Sequence, residues 1–281
     1  MAWEITGNSG THATNNFLGT TDSQPFVIKT NGVEALRIQP GSRGVAGKVG
    51  IGTAATPDTM LEIASDGDAT NALRLRSTNA AIPRSFRIGP GVGAVGIFGI
   101  HDDNAAATRL AIDYAGNVGI GTNAPTARLE IVGDLRVSGD IFLEGADCAE
   151  EFEINSVEDI PAGTVMVIED PNTLRPCDRP YDPRVAGVVS GGPGFRPAIR
   201  LNYRRDGKTN RVPVALMGRV ACRVDADAAP ISPGDLLATS DTPGHAMKVR
   251  DPGRALGTIL GKAMAPLSAG LGLIPVLVAL H

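Results

Sequence analysis

The chain has 281 residues, long enough for two domains with modest cores. Its net charge of −4, with basic and acidic residues interspersed, excludes nucleic-acid binding through a basic stripe. Aromatic residues are only 4% against 35 glycines and 20 prolines, so the aromatic payload of a compact enzyme core is missing and stability is expected from repetition or oligomerisation.

Residues Trp3 to Thr21 are rich in Gly, Asn, Ser and Thr, which favours turns and extended chain over helix. Short strands are predicted next, at Phe26–Ile28, Ala35–Ile38, Val49–Ile51, Met60–Ile63 and Leu73–Arg76. Asn31-Gly32 between the first two is a hairpin turn, because both residues tolerate positive φ. The pattern continues with Phe86–Ile88, Val95–Phe98, Arg109–Ile112, Val118–Ile120, Leu129–Val132, Leu135–Val137 and Ile141–Leu143. Strands this short contribute one or two inward side chains each and cannot build a deep core within one chain.

One element occurs twice: Gly47-Lys48-Val49-Gly50-Ile51-Gly52-Thr53 and Gly116-Asn117-Val118-Gly119-Ile120-Gly121-Thr122. Each copy is followed by a proline, Pro57 or Pro125, and then by Leu-Glu-Ile at Leu61 or Leu129. Apolar Val49, Ile51, Val118 and Ile120 alternate with Gly50, Gly52, Gly119 and Gly121, so one strand face is greasy and the other is bare backbone. The bare face is expected to admit the backbone of another chain around a threefold axis; the other reading is that these glycines mark bulges and turns inside one sheet.

The string from Asn16 to Gly32, with Glu34–Ile38 and the repeated element, resembles the shafts of phage tail-fibre and related appendage proteins over roughly the first half of the chain. The resemblance implies a trimeric β stalk. In many relatives the shaft ends in a self-cleaving chaperone domain with a Ser-Asp-x-Arg-Leu-Lys motif; that motif is absent here, and its chemistry is not carried over.

After residue 143 the segments become longer and richer in valine: Gly163–Ile168, Val185–Ser190, Val212–Leu216, Arg219–Val224, Gly234–Thr239, Ala246–Val249, Gly257–Ala263 and Ile274–Val278. Three of them have counterparts: Ile160–Met166 answers Ile231–Leu237, Gly187-Val188-Val189 answers Gly257-Thr258-Ile259, and Val212-Pro213-Val214 answers Ile274-Pro275-Val276. The fold class expected is therefore all-β: a short-strand repeat shaft over 1–143, trimeric and intertwined, followed over 144–281 by a barrel or sandwich of two similar halves. This second part is similar in strand order to β-barrel decoration proteins of phage heads. Asp147–Glu153, with Val185–Gly191 downstream, resembles the start of C-terminal domains in phage neck-appendage proteins, some of which help the shaft trimerise and then cut themselves off. The aromatic usual at the second motif position is Cys148 here.

Self-processing would draw on Asp147, Cys148 and Glu150. Four carboxylates around one thiol oppose thiolate formation, so the region is expected to be a solvated acidic turn entering the barrel. Cys148, Cys177 and Cys222 are odd in number and widely spaced, which speaks against a disulfide framework or a zinc site. The four histidines lack metal-ligand spacing, and His101-Asp102-Asp103 reads either as a cation-binding tip or as a polar turn. Gly89–Gly96 has no helix after it to make a phosphate loop. The arginines from Arg175 to Arg211 are expected in an exposed loop. No metal and no cofactor are expected.

These readings point to a non-enzymatic, homotrimeric appendage protein of a phage or phage-like particle, with a surface glycan or protein receptor and other particle subunits as partners. It would reside in a virion or extracellular particle after assembly in the cytoplasm, with no secretory signal, membrane insertion or nucleic-acid partner. Two alternatives stand beside it: a self-processing protein whose C-terminal domain is an intramolecular trimerisation chaperone, and a glycan-binding or glycan-degrading fibre.

Overall fold

The computed structural model describes residues 9–12, 17–41, 47–52, 56–64, 73–77, 79, 83–155, 159–204 and 210–280. Trp3, Asn16, Thr53, Arg205 and His281, which carried parts of the sequence reading, lie outside them. The fold is all-β; the described residues contain no α-helix, only a 3-10 turn at Pro252–Arg254. The chain divides into two compact units, Met1–Ser138 and Gly139–His281.

In the first unit, β1 (Phe26–Thr30) and β2 (Val33–Ile38) form a hairpin around Asn31 and Gly32, whose φ values of 48° and 75° give the turn both positive-φ positions it needs. Strand β3 (Val49–Ile51) runs antiparallel to β2, and β4 (Leu61–Ile63) runs parallel to β3. A second sheet is a meander of β5 (Leu73–Ser77), β6 (Arg84–Pro90), β7 (Phe98–Asp102) and β8 (Ala107–Ile112), continued by β9 (Val118–Ile120) and a parallel β10 (Leu129–Ile131).

The sequence duplication is thus a duplicated fold, with β1-β2-β3-β4 answered by β7-β8-β9-β10. The registers place Phe26, Ile38, Val49 and Leu61 in one cross-strand row and Ile28, Leu36, Ile51 and Ile63 in the next. Their counterparts are Phe98, Ile112, Val118 and Leu129, then Ile100, Leu110, Ile120 and Ile131. Each tight parallel crossover is held by a carboxylate from its last strand: Glu62 accepts the Asp58 amide at 2.9 Å and Glu130 the Thr126 amide at 2.6 Å.

Three expectations are corrected here. Val95 and Gly96 form a turn, and the strand begins at Phe98. Leu135–Val137 and Ile141–Leu143 form no strand and pair with none among the described residues.

The second unit contains β11 (Asp147–Ile154), β12 (Val165–Ile168), β13 (Thr173–Pro176), β14 (Val185–Val189), β15 (Pro197–Leu201), β16 (Arg211–Asp225), β17 (Leu236–Thr239), β18 (Ala246–Lys248), β19 (Ile259–Ala263) and β20 (Leu271–Ala279). Pairing closes twice. The first ring runs β11-β13-β12-β14-β16 and back to β11; the second runs β16-β18-β17-β19-β20 and back to β16. The segments Val212–Leu216 and Arg219–Val224, expected as two strands, are one strand of 15 residues shared by both rings.

The two rings share corresponding backbone hydrogen bonds. Gly163 N donates to Val189 O and Gly234 N to Ala263 O, both at 2.8 Å; Ser190 N donates to Pro213 O at 2.7 Å and Met264 N to Pro275 O at 2.9 Å. Their cores match as well: Ile154, Met166, Leu174, Ala186, Val189, Val212 and Val214 answer Val224, Leu237, Ala246, Leu260, Ala263, Ile274 and Val276. The structure corrects one correspondence: Gly187 answers Gly261, not Gly257, since both lie opposite a register shift against β12 or β17. Val165 and Val167 are buried as well as Met166 between them, so β12 is packed on both faces and reads as a continuous apolar run. Each such side chain contributes about 1.5–3 kcal/mol of burial.

Candidate functional site

The junction into the second unit is a strand, not a solvated turn. In β11, alternation puts Asp147, Ala149 and Glu151 on one face and Cys148, Glu150 and Phe152 on the other. The strand does not therefore gather Asp147, Cys148 and Glu150 into one cluster. What hid it from the sequence is its charge: Asp147 and Glu151 are both buried, against the usual preference of carboxylates.

Glu151 has a partner. Arg200 of β15, the strand parallel to β11, donates its Nε at 3.0 Å and a second guanidinium nitrogen to the Glu151 carboxylate. Arg211 donates to the Glu151 backbone carbonyl at 2.7 Å. Asp147 differs. Among the described residues, no group reaches either of its buried carboxylate oxygens, or the buried Ser190 hydroxyl, at normal hydrogen-bond geometry. Burial pushes the Asp147 carboxyl above the usual carboxylate range, and the nearby Ser190 side chain offsets only part of this. Asp147 lies opposite Gly218, where a β-carbon would stand 2.7 Å from the Asp147 Cα; the close approach requires glycine.

Beside this strand a polar cavity of about 330 Å³ is lined by Glu150, Glu151, Phe152, Glu153, Asn172, Asn202, Arg204 and Arg211. Sequence reasoning missed it because its walls come from four separated stretches. The cysteines are free thiols: Cys177 and Cys222 are buried in the core, and burial raises the Cys177 thiol to about 11 and moves Cys222 upward as well. Neither is poised as a nucleophile.

The first part of the arginine-rich run, Arg175–Arg184, is not an open basic loop. Arg175 pairs with Asp178 at 2.9 Å, and Arg179 and Arg184 converge on the fully buried Asp182 at 2.8 and 2.9 Å. Burial opposes ionisation of Asp182, but the Arg184 and Arg179 guanidinium groups outweigh it and hold the carboxyl well below the usual range. Of the two readings of His101-Asp102-Asp103, the geometry is that of a polar turn. Asp102 accepts Arg109 at 2.7 Å and the Asn104 and Ala105 amides at 3.1 Å, while Asp103 accepts Arg87 at 2.6 Å.

The repeat residues fall on the two faces the sequence predicted, with their occupants reversed. Gly50 and Gly119 are buried by their own chain: a β-carbon on Gly50 would sit 3.5 Å from the Pro57 ring, and one on Gly119 would strike the Thr122 carbonyl. Gly52 and Gly121 have φ of 99° and 75° and lie under the Ala64 and Val132 carbonyls. The bare face is therefore filled within the chain. The greasy face stays open: Ile51 and Ile120 are 39% and 41% exposed, and Ile28, Ile38, Leu61, Ile63, Phe98, Ile112 and Leu129 of the same rows are exposed too.

No protein-family model matches the chain, and no curated protein matches it either. Among solved structures, the C-terminal fragment of bacteriophage phi29 gene product 12 is similar at 17% identity and a TM-score of 0.33, over 47% of this chain and 100% of that one. The pre-mature bacteriophage phi29 gene product 12 is similar at 14% identity and a TM-score of 0.36, over 61% of this chain and 24% of that one. The chain thus spans well under two thirds of the longer of these two proteins.

Proposed function

We propose that the chain is a homotrimeric structural appendage protein of a phage or phage-like particle, in which the first unit forms the fibre and the second caps it. The observation that carries this reading is the pair of duplicated sheets, each with two cross-strand apolar rows on a face that its own sheet leaves exposed. Apolar surface on this scale marks association, and identical faces are most simply covered by identical chains. The protein acts without a cofactor, among other particle subunits, and contacts a cell-surface glycan or protein. Size-exclusion chromatography with light scattering is expected to give a trimer at micromolar concentration; a stable monomer would overturn the reading.

A second reading draws on Asp147: burial at the entry to β11 pushes its carboxyl above the usual carboxylate range, and such a group would assist cleavage of the chain near the junction. Intact-mass measurement of freshly purified protein tests it. Two fragment masses in the parent, lost in Asp147→Asn, support self-processing; one full-length mass in both rejects it.

A further inference from the structure

Residues 129–146 consist of three successive hexads: Leu129-Glu-Ile-Val-Gly-Asp134, Leu135-Arg-Val-Ser-Gly-Asp140 and Ile141-Phe-Leu-Glu-Gly-Ala146. Each has aliphatic residues at its first and third positions and glycine at its fifth. The first hexad contains β10, which pairs with β9. The second and third have the same strand pattern, yet among the described residues no strand lies alongside them.

We infer that Leu135–Val137 and Ile141–Leu143 are strands whose partners are the same segments of two neighbouring copies of this chain, wound into a three-chain β coil. Four observations carry this assignment. First, the apolar positions stand in solvent in the single chain: Leu135 is 68% exposed, Ile141 60% and Phe142 91%. Second, the backbone amides of 133–143 have no backbone acceptor among the described residues, so the pairing capacity of a strand is unused.

Third, Gly139 has no reason to be glycine within its own chain. Its φ is not positive, and a β-carbon there would meet nothing within 4 Å. Of the six glycines of the duplicated element, all but Gly50 have a positive φ or a contact in their own chain that excludes a β-carbon, and Gly50 is covered by the Pro57 ring. Gly139 has none of these and is left for the approach of another chain. Fourth, the segment is self-complementary. A shift of two residues between copies keeps every apolar position in phase and sets Arg136 beside an Asp134 of the neighbouring copy. With Leu129 and Val132, the exposed apolar residues of this stretch offer on the order of 800 Å² per copy, the per-partner size of a stable interface.

This inference rests on the trimeric reading, and the experiment separates the two. Hydrogen exchange is followed by mass spectrometry on the full chain, alongside light scattering. Amides of 135–143 are expected to exchange at least tenfold more slowly in the trimer than in a synthetic peptide of the same sequence. A trimer in which they exchange at the peptide's rate overturns the inference and leaves the trimer standing; a monomer overturns both. Val137→Cys in a Cys148→Ala background adds a readout that does not depend on destabilising the fold. Mild oxidation is expected to link copies through Cys at 137 in the trimer, and trimers that give no linked chains would count against the segment lying at the axis.

Discussion

The Pro57 ring closes over Gly50, its Cγ 3.5 Å from the point a β-carbon would take. In the second copy of the element, the corresponding space under Gly119 is taken by the backbone carbonyl of Thr122. A flexible contact at ordinary van der Waals distance tolerates a methyl group; a fixed carbonyl does not. Gly50→Ala is expected to leave stability within about 0.5 kcal/mol, while Gly119→Ala is expected to cost about 1–3 kcal/mol by overpacking. Urea unfolding of the two variants checks this, and equal losses would mean that the copies are not packed differently.

Gly187 and Gly261 answer each other across the two rings, and a β-carbon on either would strike a carbonyl, that of Ala215 or of Leu277. Both alanine variants are expected to lose about 2 kcal/mol or more. Gly257 has a φ of 74° with open space around it, so Gly257→Ala is expected to cost only about 1 kcal/mol of backbone strain. Thermal denaturation that ranked Gly257 above Gly261 would argue against the assigned correspondence.

Asp182 is ionised in the fold with its carboxyl held below the ordinary value by two arginines. Its stabilisation is present above the unfolded-state value, about 3.9, and is lost as pH falls through the lower folded value. Asp182→Asn, which leaves two guanidinium groups facing a neutral side chain, is expected to cost about 3 kcal/mol at pH 7. The difference from the parent should shrink steadily below pH 4, as followed by urea midpoints.

Asp147 has the opposite sign. Its carboxyl is pushed up by burial, so between the ordinary and the folded value the folded chain binds more protons than the unfolded one. Stability therefore falls as pH rises through that window. Asp147→Asn is expected to be more stable than the parent at pH 7, with the gain vanishing toward pH 4. A variant less stable than the parent at pH 7 would indicate that the carboxylate has a partner in the assembled protein.

The sequence by itself determined the all-β class, most strand positions, the hairpin at Asn31-Gly32 and both duplications. Those features depend on alternation with period two, on glycine and proline punctuation, and on residues close in the chain. The tertiary structure decided what depends on which backbone lies alongside. It filled the bare face of Gly50 and Gly119 from within the chain, and left the apolar rows of Ile51 and Ile120 open. It merged two segments into β16, because only the pairing on both of its edges shows that one strand serves two rings. It also turned an acidic stretch into the central strand β11, since the cost of burying Glu151 is offset by Arg200, 49 residues away, and no local pattern reports a partner at that distance.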